Sequence, residues 1–236
     1  MEIPDEKLVK LFRLDKYLRV NVSEETQKFL DYENKTNKIP VFTRFLAALN
    51  FNGSGSFETS VSQELNIVLS QPVVSRCLNK ISAIFTNHLL ARYVKFPVTE
   101  EHIHSVKQGF QVKLQFPHVI GAIDCKCVAI FTPEGTDISN PALSYLNRKG
   151  YYCINGQAIC DSEMIFANIS SRYPGATYDI AIWQTSTVNN HLQTRYLNGE
   201  RRIWLIWVSG YPIQPWMMTA VPDALEDTPK GIYTTF

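Results

Sequence analysis

The stretch from Phe116 to Asp161 constrains this chain most. It opens on His118, Val119, Ile120, Gly121, Ala122 and Ile123 and runs directly into a carboxylate, Asp124. A continuous apolar run of this kind reads as a strand buried on both faces rather than one alternating between core and water. A second apolar run, Val128 to Phe131, follows after Cys125, Lys126 and Cys127. An acid on a buried strand has to pair with something or bind a metal. Asp124 is therefore the first candidate for chemistry.

Composition narrows the classes. With 236 residues, 45% of them hydrophobic and 19% charged, the chain has enough material for one large or two small globular domains. A formal net charge of +1 excludes a strongly basic nucleic-acid protein by bulk charge, leaving only local patches. Five cysteines without a C-x-x-C pair suggest neither a disulfide framework nor a zinc knuckle, and fit a reducing compartment. The charged start MEIPDEKLVKLFRLDKYL has no apolar signal-peptide core, and no apolar run reaches membrane-spanning length.

Residues 1–115 read as helical and 116–236 as a domain rich in strands. Helical spacing of Leu8, Leu11, Phe12 and Leu14 opens a helical region over 5–33, and YENKTNKIP reads as a linker. A strongly apolar helix follows Pro40 and leads to NGSGS. Segment 57–95 carries a helix-turn-helix pattern: a helix over 60–65, a short turn, then a second helix capped by Ser70 with Pro72 in its first turn. Arg76 and Lys80 are four apart and share a face, so they are candidates for phosphate contact, or simply a solvated helix face. A further helix is expected over 98–115. His102 and His104 are two apart, a poor metal pair, and read as surface residues. Strands are expected at 118–124, 127–131, 151–161, 164–170 and 203–208, with a helix near 177–193. The fold class is α/β or α+β, with its first strands antiparallel.

The motifs FPHVIGAIDC, YLNRKGYYCINGQAICD, YPGATYDIAIW and VSGYPIQPWMMT together resemble the Harbinger-type DDE transposases and the nucleases derived from them. The resemblance covers nearly the whole chain. It implies a ribonuclease-H-like mixed sheet with the Asp124 strand at its centre, preceded by a helix-turn-helix. It also implies divalent-metal phosphodiester chemistry with magnesium or manganese, DNA as substrate, a Myb-like partner protein, and work in the nucleus, or a cytoplasmic location without that partner.

The family uses two aspartates and a glutamate. Asp124 matches the first. Val208 stands where the family has the second, and valine offers no oxygen to a cation. The glutamate is expected beyond Phe236, so the sheet is expected to be incomplete, with residues 203–208 as an exposed edge. Cys125-Lys126-Cys127 replaces the family's Gly-Thr-His, and Lys126 sets a cation beside the acid. Asp179 matches an aspartate of the Pro-Gly-x-x-x-Asp segment and is the other metal candidate. Its alternative role is to stabilise a helix start, worth roughly 0.3–1 kcal/mol. Asn147, Arg148 and Lys149 match a loop that the resemblance sets near DNA or the active site; a solvated loop is the plainer reading. Three functional readings follow: a metal-dependent nuclease whose activity is lost here, a non-catalytic DNA-binding protein using the helix-turn-helix, or a non-functional fragment of a decayed element. Tyr211, Pro212 and Trp216 are expected to pack the loop after the last strand.

Overall fold

The computed structural model describes residues 5–30, 39–54, 69–133, 142–207 and 213–219. The chain divides into two compact units, Met1–Tyr93 and Val94–Phe236.

The described part of the first unit is helical. Helices α1 (Asp5–Phe12), α2 (Lys16–Leu30), α3 (Val41–Ser54) and α4 (Gln71–Ile84) are followed by a π turn (Phe85–Leu89) and a last short helix, α5 (Leu90–Tyr93). The α4 stripe Val74, Cys77, Leu78, Ile81 and Ile84 is buried. Most of it packs with Phe45 and Ala48 of α3 and Leu30 of α2. This is how a 3.6-residue period buries one helix face. Ser70 occupies the N-cap position with extended backbone and proline follows in the first turn, but the serine side chain makes no capping bond. The helix expected over 60–65 lies outside the described residues, as does most of the turn after it.

The second unit begins with α6 (Glu100–Leu114), capped by Thr99, whose side chain accepts from the backbone N–H of His102. Although sequence groups this helix with the helical half, it packs on β1, because Ile103 and Phe110 are buried in the sheet's two cores. His102 and His104 are exposed, as expected.

Among the described residues five strands make one sheet in the order β3-β2-β1-β4-β5: β1 (Val119–Ala129), β2 (Cys153–Cys160), β3 (Phe166–Pro174), β4 (Trp204–Trp207) and β5 (Met217–Thr219). β1–β2 and β2–β3 are antiparallel, whereas β1–β4 and β4–β5 are parallel. This mixed sheet with β1 at its centre is consistent with the ribonuclease-H-like fold that the resemblance implies. Two expectations need correction. The runs expected over 118–124 and 127–131 are joined in the single strand β1, which ends at Ala129, because Cys125 and Cys127 continue the alternation and pair with Gln157 and Asn155 of β2. The strand expected over 203–208 does not form a bare edge over its described residues, because β5 pairs along β4.

The segment carrying β5 is pinned by two indoles. Trp183 Nε1 donates to Gln214 Oε1 at 2.8 Å, and Trp216 Nε1 to Asn189 Oδ1 at 2.9 Å. Trp216 is buried, as expected, whereas Tyr211 and Pro212 lie outside the described residues. The helix expected over 177–193 is two helices, α7 (Asp179–Gln184) and α8 (Thr187–Leu197). They break at Ser186, whose hydroxyl caps α8 by accepting from the backbone N–H of Asn189. These helices cover one sheet face through Trp183, Val188 and Leu192, and Phe110 and Phe116 cover the other around Val119.

Gly121 sits where β1 is tightest. A methyl group there would lie 2.7 Å from Ile159 Cγ2 and 2.9 Å from Leu205 Cδ2, and both of those side chains are fully buried. Gly121→Ala is therefore expected to cost about 1–3 kcal/mol through overpacking. The check is a urea titration of the full chain, in which the midpoint falls while the slope is unchanged.

Candidate nucleic-acid interface

Where β1 leaves β4 it opens a site. The two strands pair only from Val119↔Trp204 to Ala122↔Ile206, whereas β2 follows β1 as far as Ala129. Two residues beyond that last pair, the sequence has Asp124 and Val208. Val208 lies outside the described residues. Asp124 is exposed, and its Oδ1 accepts from the backbone N–H of Cys125 at 2.8 Å. Asp124 and Lys126 share the open face of β1, since alternate residues of a strand point the same way. Cys125 and Ile123 point instead toward the core under α7 and α8.

A cleft of about 510 Å³ runs past these residues. One wall is the turn Asn147–Gly150. Asn147 is buried, and its Oδ1 accepts from the backbone N–H of Lys149 at 2.9 Å and of Tyr151 at 3.3 Å. Its backbone exchanges with the loop as well: Asn147 N–H donates to Tyr151 O, and Gly150 N–H to Asn147 O. Gly150 takes φ +81°, the left-handed region glycine enters without strain. One buried amide thus organises a tight turn whose outward residues, Arg148 and Lys149, are both exposed at the cleft. The loop expected from the motif is a built structure.

The opposite wall is the segment 175–179. A side chain on Gly175 would meet Tyr145 O and Cys153 Sγ, each at 2.5 Å, so glycine lets this segment lie against β2. Asn155 of β2 then fixes it: Nδ2 donates to Thr177 O at 3.0 Å and to Asp179 Oδ1 at 2.8 Å. Both partners are acceptors, which settles the orientation of the amide. Asp179 stands in the first turn of α7, where a carboxylate suits the helix dipole. Its observed partner supports the positional role.

The β1–β2 register sets out where the acids of the metal clamp implied by the resemblance lie. In the β1–β2 register Asp124 faces with Ala158, whereas Asn155, three residues away, faces the other side of the sheet with Cys127. Asp124 and the Asn155-bound Asp179 therefore reach the cleft from opposite faces. Asn155 Oδ1 is buried without a hydrogen-bond partner, but the amide shows Asp179 its nitrogen, turning that oxygen away from the carboxylate. Among the described residues, no three histidine, cysteine or acidic side chains are grouped to hold a metal ion. Magnesium wants oxygen ligands in near-octahedral array. Among the described residues the cleft is lined by two carboxylates, Asp124 and Asp179, and three cations, Lys126, Arg148 and Lys149.

Arg76 and Lys80 belong to the first unit and are described apart from this cleft. They lie one turn apart on α4, Arg76 exposed and Lys80 half-buried. Sequence reasoning missed Asn155, which was detectable as an amide at a buried position of an apolar strand.

Comparison with known proteins bears on this geometry. Residues 123–232 match the family model described as DDE superfamily endonuclease. The chain is 31% identical over 219 residues to "Putative nuclease HARBI1" of Rattus norvegicus, covering 93% of this chain and 57% of the relative. The protein of that name from Homo sapiens is 30% identical over 219 residues, with the same coverage. "Protein ALP1-like" of Arabidopsis thaliana is 22% identical over 197 residues, covering 79% of this chain and 46% of the relative. The chain thus spans about half the length of the curated relatives it matches. No solved structure gives a significant match.

Asn147→Ala should loosen the turn, because it leaves two backbone N–H groups without their acceptor. A loss of about 1–3 kcal/mol is expected. Hydrogen exchange at residues 148–151 should rise well above that of β2, and unchanged exchange there would contradict the assigned role of the amide.

Proposed function

The chain belongs to the DDE transposase-derived nuclease family, and on that premise we propose that it binds DNA at the cleft beside Asp124 without cutting it. The observation that carries this reading is the Asn147 turn, which holds Arg148 and Lys149 at the cleft that Asp124 lines. In-line phosphodiester chemistry needs metal ions to activate the attacking oxygen and stabilise the leaving one. Holding such ions takes converging oxygens, and valine stands at position 208, where the resemblance calls for one of them. Guanidinium and ammonium groups on a rigid turn suit phosphate oxygens instead, Arg148 by its planar fork and Lys149 as a point charge. Contacts of this kind position a protein on the backbone and carry no sequence information. A chromosomal DNA ligand goes with work in the nucleus.

Two measurements test the reading. Purified full chain incubated with supercoiled plasmid and magnesium or manganese is expected to leave it uncut. Metal-dependent nicking that Asp124→Ala abolishes would overturn that half. In a salt titration with a short duplex, the double variant Arg148→Gln plus Lys149→Gln should bind more weakly, with a salt slope shallower by about 2. Unchanged affinity and slope would remove the cleft from DNA contact.

A further inference from the structure

The first unit holds a second concentration of positive charge. A cavity of about 180 Å³ is lined by Ile39, Arg44, Val73, Arg76, Cys77 and Lys80. Three of these six residues are cations, and no carboxylate is among them. Arg76 and Lys80 meet there because they are one helical turn apart on α4. Arg44 comes from α3, which packs on α4, and it is only 7% exposed.

A nearly buried guanidinium demands compensation, since removing a charge from water costs several kcal/mol unless it is paired. Arg44 Nε donates to the backbone carbonyl of Ile39 at 3.1 Å. That bond uses one of five donors and brings no negative charge. Neither Arg44 nor Arg76 is in an ion pair among the described residues. Their fields converge on Cys77, where burial raises the thiol pKa while Arg44, Arg76 and Lys80 all pull it down. An arrangement that gathers like charges around an open space is stabilised by an anion in that space. Water occupies about 30 Å³ per molecule in the liquid, so the cavity takes a group of several heavy atoms. Two guanidinium groups without an ion pair among the described residues, one of them nearly buried, suit the several acceptor oxygens of a tetrahedral anion.

We propose that Arg44, Arg76 and Lys80 form a phosphate-binding site in the first unit, taking a phosphate of a DNA backbone or of a small free phosphate compound. The site stands independently of the cleft reading. It also gives Arg76 and Lys80 a role that does not depend on a helix-turn-helix.

The test is thermal unfolding of the full chain in inorganic phosphate, with chloride and acetate at matched ionic strength as controls. Phosphate is expected to raise the unfolding temperature by about 2–4 °C. The rise should persist in Arg148→Gln plus Lys149→Gln, which separates this site from the cleft, and disappear in Arg76→Gln. Arg44→Gln changes a buried residue and is compared only if its circular dichroism is native; Arg76→Gln, on an exposed helix position, carries the test. No phosphate-specific rise, an equal rise in acetate, or an undiminished rise in Arg76→Gln would overturn the proposal. Binding of a short duplex then distinguishes the source. A several-fold loss of affinity in Arg76→Gln identifies the DNA backbone. Unchanged duplex affinity together with lost phosphate stabilisation identifies a small phosphate compound.

Discussion

The unequal pairing of β1 governs the second unit. At its start the strand is gripped on both sides, by β2 and β4, and buried on both faces, with Val119 and Ile120 in separate cores. After Ala122 its β4 partner ends among the described residues, and only β2 continues. The same strand is therefore a structural axis for its first residues and a working surface for the rest. Asp124 falls just past that change. It is exposed because the strand has stopped being core, and it is held steady because the strand has not stopped being sheet.

What surrounds Asp124 determines what that position can do. Two amides build the cleft: Asn147 folds the cationic turn, and Asn155 ties the start of α7 to β2. Both are buried, Asn147 accepting from two backbone N–H groups of its loop and Asn155 donating to Thr177 O and Asp179 Oδ1. Among the described residues the carboxylates of the cleft, Asp124 and Asp179, come from opposite faces of the sheet, and Lys126, Arg148 and Lys149 line it beside them.

Much of this was legible in the residues, for identifiable reasons. The run before Asp124 read as a buried strand, whose central place the family resemblance implied, and the spacing of Val74, Cys77, Leu78, Ile81 and Ile84 read as a helical stripe. Other features depend on tertiary contacts that sequence does not display. Cys125, Lys126 and Cys127 looked like an interruption, yet β2 pairs with all three and makes them strand. β5 is three residues long and held by indoles from distant helices, so no local pattern announces it. The break at Ser186 was hidden in an otherwise continuous helical stretch. Asp179 carried a motif but not its orientation, which only the bond to Asn155 reveals.

The central claim is that Asp124 faces cations and phosphate rather than a resident metal ion. Titrating the purified full chain with manganese(II), followed by electron paramagnetic resonance of the free ion, tests it most directly. The account predicts no saturable binding that Asp124→Asn removes. One equivalent of manganese bound tightly by the native chain and released by Asp124→Asn would contradict it.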